Sequence, residues 1–301
     1  MYSDASPAAD ELAFHGAGLF TISQREFEAF RELIFKEAGI SLSDAKRVLV
    51  CSRLSRRLRH YGFKSFGQYY DYLMNADSSG AERLKMINCI TTNKTDFFRE
   101  MHHFEFLREH FFPEVRERAI QGRARRLRIW SAGCSSGEEP YSIAMIVREF
   151  FGFLQGWDIK ILASDIDTDM LRVGERGIYP AERMDSVPAE YQRRHFLRGR
   201  GEWEGYFQAR SEVRDLVTFR RINFADNPWP IHTRFDVIFC RNVIIYFNRE
   251  TQRRLFQRLA EYLEPDGCLM VGHSESLQWL SDMFVLARGT IYRLRDVKSS
   301  G

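Results

Sequence analysis

The chain has 301 residues, 44% hydrophobic and 28% charged, which is ordinary for a globular protein and enough for two cores. A net charge of +3 gives no strong whole-molecule field, and the most apolar runs, such as 235–240, fall far short of the roughly 20 residues of a membrane helix. The N-terminus shows no basic segment followed by an apolar run, so no secretory signal is predicted. Five cysteines (Cys51, Cys89, Cys134, Cys240 and Cys268) show no C-x-x-C pair, which argues against a disulfide framework or zinc site and for a reducing cytoplasm.

Residues 1–18 are small and polar and read as a flexible tail. Residues 19–75 read as a small all-helical domain. Ser23 precedes REFEAFRELIFKEAG, and Glu26 three residues on completes a capping box. Phe27, Phe30, Ile34 and Phe35 recur at helical spacing before Gly39. A second helix starts near Ser43-Asp44, with Val50, Leu54 and Leu58 as its apolar stripe. Lys46, Arg53 and Arg57 share a neighbouring face, with Arg56 and His60 beside them. A third helix covers 65–73, the stretch 75–80 is a loop, and 76–125 reads as linker and lid. Basic runs at 46–60 and 116–128 suit nucleic acid, a membrane surface or an acidic protein, and equally a solvated face.

From residue 126 to the end, strands alternate with helices. Strands are predicted at 127–130, 159–163, 216–224, 235–240 and 268–272, the last after the turn 264–267. A closing hairpin joins 284–287 to 290–294 through Arg288-Gly289. The pattern predicts an α/β fold, a doubly wound Rossmann-like sheet. Residues 186–215 interrupt it as a small inserted β-subdomain. Within them LRGRGEWEGYF, 197–207, reads as a strand, a glycine-rich turn and a returning strand.

The first strand runs into IWSAGCSSGEEPYSIA, 129–144. Its small residues let a ligand approach the backbone at a helix N-terminus. The turn is neither G-x-G-x-x-G nor a Walker loop. Glu138 and Glu139 disfavour phosphate and favour a cationic ligand such as S-adenosylmethionine, although a tight turn with a solvated Glu pair fits the same residues. The second strand ends in Asp165, where an acid can accept both ribose hydroxyls. A helix N-cap shared with Asp167 and Asp169 is the alternative. Upstream, TTNKTDFFREMHHF places Asn93, Thr95 and Arg99 beside Phe97-Phe98, as a lid segment or the start of an amphipathic helix. His102 and His103 diverge on a helix without a second ligand pair, so no metal site is predicted. Arg241-Asn242 stands at the carboxyl end of the fourth strand, where open α/β sheets bind ligands. Tyr246 follows and, taken alone, reads as a core aromatic.

In this order, TTNKTDFFRE, SAGCSSGEEPYSIA, ASDID, FCRNVIIYF and EPDGCLMVGHSESL resemble the chemotaxis receptor methyltransferase family (CheR-type) over about residues 20–295. The resemblance implies an S-adenosylmethionine methyltransferase domain behind a helical N-terminal domain. It implies transfer of methyl to receptor glutamate carboxylates, giving 5-O-methyl esters and S-adenosylhomocysteine, with no metal. The implied cofactor contacts are Asn93, Thr95, Arg99, Glu139, Asp165, Arg241 and Asn242, with Asn223 and Phe224 on the adenine side. Arg99, Arg241 and Tyr246 would orient the reactants. Lys46, Arg53, Arg56 and Arg57 would dock on acidic receptor helices. Arg198 and Gly201 of the β-subdomain would help tether a receptor C-terminal peptide. The enzyme would be cytoplasmic and recruited to receptor arrays, with no nucleic-acid partner and no membrane insertion. A non-catalytic binding module is opposed by the intact polar set. A nucleic-acid methyltransferase is opposed by the lack of an Asn-Pro-Pro-Tyr-like element and by the near-zero net charge.

Overall fold

Ser23 and Glu26 close the capping box of α1 (Gln24–Ala38). The Ser23 N–H donates to the Glu26 carboxylate at 2.9 Å, and the Glu26 N–H to the Ser23 hydroxyl at 3.3 Å. The computed structural model describes residues 20–152 and 156–295. The tail predicted at 1–18 lies outside the described residues. The chain divides into two units. Among the described residues, the first comprises 20–32 and Ser43–Ile90; the second comprises Leu33–Leu42 and those from Thr91 on.

The first unit packs the opening turns of α1 with α2 (Arg47–Tyr61), α3 (Phe66–Asn75) and α4 (Ala81–Ile90). Its core is aromatic: Phe30 lies edge-on to Phe66 at 5.9 Å and stacks on Tyr69 at 5.8 Å. Val50, Leu54 and Leu58, the predicted stripe of α2, are fully buried. The unit continues past residue 75 because 75–80 is a turn inside it. The Asp77 carboxylate accepts the Glu82 and Arg83 N–H groups at 3.2 and 2.8 Å and so caps α4.

In the second unit, α5 (His102–Phe106) continues through a π turn (Leu107–Phe111) into α6 (Phe112–Ile120). Then come β1 (Arg126–Ala132), α7 (Glu138–Phe151), β2 (Asp158–Asp165) and α8 (Thr168–Arg176). A small insertion follows, with β3 (Ile178–Pro180), α9 (Ala189–His195), β4 (Phe196–Arg198) and β5 (Tyr206–Ala209). After α10 (Ser211–Arg214) the main sheet resumes with β6 (Val217–Arg221), β7 (Phe235–Cys240), α11 (Arg249–Tyr262), β8 (Leu263–Val271), β9 (Phe284–Arg288) and β10 (Ile291–Leu294).

The main sheet has the order β6-β2-β1-β7-β8-β10-β9. Its first five strands are parallel, and β10 and β9 are antiparallel additions. Alternating side chains feed two cores, as the strand period requires. Leu127, Ile129, Val237 and Phe239 meet Ile143 and Val147 of α7 on one face, while Trp130, Ile238 and Cys240 meet Leu255, Phe256 and Leu259 of α11 on the other. The insertion forms its own antiparallel sheet, β3-β5-β4, and begins at Ile178 rather than 186. A three-residue strand behind a helix-ending glycine (Gly177, φ +59°) leaves little periodicity to read. The turn predicted at 264–267 is absorbed into β8: Phe235 pairs with Leu263 and Val237 with Cys268, so the extra residues form a bulge. Consecutive parallel strands β6, β2, β1 and β7 therefore present their carboxyl ends side by side.

Candidate active site

The glycine turn after β1 is shaped by close approach. A Cβ on Gly133 (φ +91°) would lie 2.4 Å from Val243 Cγ2. The Gly133 and Cys134 N–H groups both donate to the Ser164 carbonyl, at 2.7 and 2.9 Å. Ser135 then donates its N–H to one Asp165 oxygen at 2.7 Å, and Asp167 donates its N–H to the other at 2.9 Å. Burial raises the Asp165 pKa to about 6, against the lowering effect of these two N–H groups, with Asp167 raising it further. Each Asp165 oxygen keeps capacity for a further donor, which is what a pair of ribose hydroxyls needs. The helix-cap alternative belongs instead to Asp167, which accepts the Asp169 and Met170 N–H groups at the start of α8.

Asp167 also anchors the segment before α5. It accepts the Thr91 hydroxyl at 2.8 Å and the Asn93 amide at 2.7 Å, while the Asn93 carbonyl accepts the Ser135 hydroxyl at 3.1 Å. The segment thus lies on the glycine turn, as a lid would. Thr95 is buried and its carbonyl accepts Arg183 at 2.8 Å. Phe97 packs edge-on against Tyr179 and Phe196, and the Phe98 N–H donates to the Ser142 hydroxyl at 2.9 Å. Arg99 is half-buried and donates to the Lys94 carbonyl at 3.0 Å. Among the described residues, the non-glycine positions with positive φ are Phe98, Glu100, Ser135 and Asn242. All four belong to this site, so the backbone here is held in conformations that most residues avoid.

The Glu pair is not solvated. Glu139 accepts the Ser131 hydroxyl on one oxygen and Arg241 Nε on the other, both at 2.7 Å. Glu138 is buried, accepts the Ser136 hydroxyl at 2.7 Å and lies 3.6 Å from Arg183; burial raises its pKa. The Arg241 side chain is 2% exposed. Its Nη1 donates to the Arg99 carbonyl at 2.5 Å and to His103 Nδ1 at 3.1 Å, and its guanidinium lies over the Phe104 and Phe239 rings. Arg99, Glu139 and Arg241 are therefore brought into one bonded cluster. Glu100, His102 and His103 place ligand-type atoms within 4.8 Å of one another. The Arg241 cation occupies the His103 Nδ1 lone pair, so the group does not offer a metal its full donor set.

Beyond β7, Asn242 sits at φ +58° and is clamped by Glu275, a residue whose position in the sequence signals no role. The buried Glu275 carboxylate accepts the N–H groups of Asn242, Ile244 and Gly272 at 2.8, 3.1 and 2.7 Å. Tyr246 is half-buried in the short turn Ile244–Tyr246. Its hydroxyl has no hydrogen-bond partner among the described residues, and its carbonyl accepts the Ser41 N–H at 2.8 Å. Asn223 is held in place by the fold. Its amide donates to the Glu37 carbonyl and Asp226, and its Oδ1 accepts the Ala225 N–H. Phe224 packs against Trp229 and Trp130.

In the first unit, the cations expected to dock are not equivalent. Arg57 donates to the buried Glu82 carboxylate at 2.7 and 2.5 Å, beside the Tyr61 and Tyr69 hydroxyls. Arg53 bonds the Ile90 carbonyl. Arg56 is exposed, with one nitrogen 3.2 Å from Cys89 Sγ, and Lys46, Arg47 and Arg59 are exposed as well. In the small sheet, Arg198 lies on the edge strand β4 and Gly201 (φ +61°) in the β4–β5 turn, with Leu197, Trp203 and Tyr206 exposed nearby.

Residues 93–293 match the model of the CheR methyltransferase SAM-binding domain, and residues 25–91 match that of the CheR methyltransferase all-alpha domain. The chain belongs to the CheR methyltransferase family. It is 42% identical over 290 residues to chemotaxis protein methyltransferase 2 of Pseudomonas aeruginosa, covering 96% of this chain and 98% of that one. It is 41% identical over 274 residues to the chemotaxis protein methyltransferase of Escherichia coli, covering 91% and 92%. The family is the one the motifs resembled, and its domain division matches the boundary at 90–91. The protein is thus an S-adenosylmethionine-dependent methyltransferase.

The residues present fit that cofactor. Asp165 is a half-buried carboxylate with capacity for two further donors, and Glu138 and Glu139 put two buried carboxylates at the start of α7, which suits a ligand without phosphate. No described helix is long and apolar enough to cross a membrane. Besides Glu275, sequence reasoning missed Ser131, Glu100 and His103. The sequence offers His103 only as a metal-ligand type; its contact with Arg241 is one that no spacing reveals.

Proposed function

We propose that this enzyme esterifies glutamate side chains in the cytoplasmic domains of chemotaxis receptors, giving glutamate 5-O-methyl esters and S-adenosylhomocysteine. The observation that carries the reading is the set of polar groups at the carboxyl ends of β2, β1 and β7. The Asp165 carboxylate, a buried Arg241 fixed by Glu139 and a Tyr246 hydroxyl without a partner among the described residues belong to one family-matched domain.

A glutamate carboxylate titrates near about 4.3 and is already nucleophilic at neutral pH. The chain needs no general base, and alignment and exclusion of water are what remain. S-adenosylmethionine supplies an electrophilic methyl on a sulfonium. Asp165 would hold its ribose, with Asn93, Thr95, Glu139, Asn223, Phe224 and Asn242 around the rest. Arg99, Arg241 and Tyr246 would orient the incoming carboxylate or the cofactor's tail.

Docking would use the exposed cations of α2 and the turn before it (Lys46, Arg47, Arg56 and Arg59), with Arg53 and Arg57 bracing the helix from beneath. An extended receptor C-terminal peptide would add to the free edge of β4, near Arg198 and Gly201. With both contacts the enzyme would act in the cytoplasm, at receptor arrays. The test is incubation with labelled S-adenosylmethionine and membranes carrying candidate receptors. Base-labile label on receptor bands supports the reading; label that resists base, or that appears on no receptor, overturns it.

A further inference from the structure

We propose that His103 is a positioning residue for Arg241, acting as a neutral imidazole protonated on Nε2 and linking Arg241 to the Thr290 hydroxyl. The inference rests on the reading above that Arg241 works in methyl transfer.

Geometry fixes the tautomer. A guanidinium has donors only, so the nitrogen facing it must carry a lone pair. Arg241 Nη1 lies 3.1 Å from His103 Nδ1, whereas Glu100 Oε2, the carboxylate oxygen facing the same nitrogen, is 3.6 Å away and outside hydrogen-bond reach, so the ring proton is on Nε2. Nε2 lies 2.9 Å from Thr290 Oγ1, and the hydroxyl accepts that proton. The same hydroxyl lies 3.4 Å from His102 Nε2, toward which its own hydrogen can point. The ring is fully buried, edge-on to Phe239 at 6.1 Å. Burial, then the Arg241 charge, then His102 push the His103 pKa down to about 2, so the ring stays neutral at working pH.

The consequence is directional. Glu139 takes Arg241 Nε, while His103 and the Arg99 carbonyl take Nη1. The guanidinium is thereby fixed in rotation about its long axis as well as in place. Thr290 sits in the turn between β9 and β10, so the antiparallel end of the sheet contributes to the orientation of a residue at the end of β7. A bidentate or planar contact from Arg241 to a carboxylate depends on that rotation.

The test uses the full chain with receptor membranes. His103→Leu removes the acceptor, whereas His103→Asn keeps an oxygen near the Nδ1 position. His103→Leu should lower kcat about tenfold, the loss of one charge-assisted hydrogen bond, with cofactor affinity nearly unchanged. His103→Asn should recover most of that loss. Wild-type kcat in His103→Leu, or equal impairment in both variants, overturns the proposal. Should the variants fail to fold, nitrogen-15 spectra of the wild type decide the matter. An Nε2–H tautomer that persists across neutral pH supports the proposal, and an Nδ1–H tautomer or an imidazolium overturns it. Full turnover by Arg241→Lys would instead sink the reading of Arg241 itself and leave the His103 tautomer standing.

Discussion

The Glu275 carboxylate accepts the backbone N–H of Asn242 at 2.8 Å, at a residue whose φ is +58°. The same carboxylate accepts the Ile244 and Gly272 N–H groups, so one buried side chain holds the turn between β7 and α11 against the end of β8. Glu275→Ala leaves three buried donors without that acceptor. It should cost about 2–4 kcal/mol of stability and lower turnover as well. Denaturant unfolding and a methyl-transfer assay measure the two effects; a variant with unchanged stability would show that water replaces the clamp.

With Asp165 as the proposed ribose acceptor, cofactor affinity should be sensitive to acid. Its pKa is raised to about 6 by burial, and hydroxyl donors on a bound ribose would favour the charged form. The carboxylate is therefore the binding-competent state. It is present above pH about 6 and lost as pH falls through that value. Affinity should drop by up to about tenfold per pH unit below it, and Asp165→Ala should bind about tenfold or more weakly at neutral pH. Titration calorimetry across this range tests both; a flat profile in the wild type would refute the assignment.

On α2, inward and outward arginines should separate cleanly. Arg57→Ala strands the buried Glu82 carboxylate and should cost about 2–4 kcal/mol, read by thermal unfolding. Charge reversal at exposed Lys46 and Arg59 should leave stability and cofactor binding intact while slowing receptor methylation. Wild-type methylation should also slow with added salt. If the rate ignores salt and both reversals, docking lies elsewhere.

The small sheet yields a binding test. A peptide copying the C-terminal tail of a cognate receptor should bind in calorimetry, and Arg198→Glu or Gly201→Val should weaken it without altering cofactor affinity. Without binding by any receptor tail, the insertion is better understood as a cover for the lid, since Phe196 packs on Phe97.

Much of the fold was legible because hydrophobic period and turn residues set it locally. The strand at 235–240 matches β7, and the hairpin through Arg288-Gly289 is present as β9 and β10. The bulge in β8 was not legible, because Pro265 and Gly267 mark a turn until β7 pairs across them. At the site, the residue types were readable but their partners were not. Asn93 and Thr91 converge on Asp167, more than seventy residues away, and Arg57 turns inward to Glu82. Periodicity placed Arg57 on a face without showing that the face is covered by α4.

The last turn of α1 and the residues after it, Leu33–Leu42, belong with the second unit rather than with the helices around them in sequence. Glu37 supplies the carbonyl that Asn223 bonds, and Ser41 supplies the N–H that the Tyr246 carbonyl accepts. The methyltransferase module is therefore discontinuous along the gene. A fragment cut cleanly at residue 91 would lack a strap that ties down two of its ligand-side loops. Domain-swap or minimal-enzyme designs that respect only the family boundary would sever it, and those that carry residues 33–42 along would keep it.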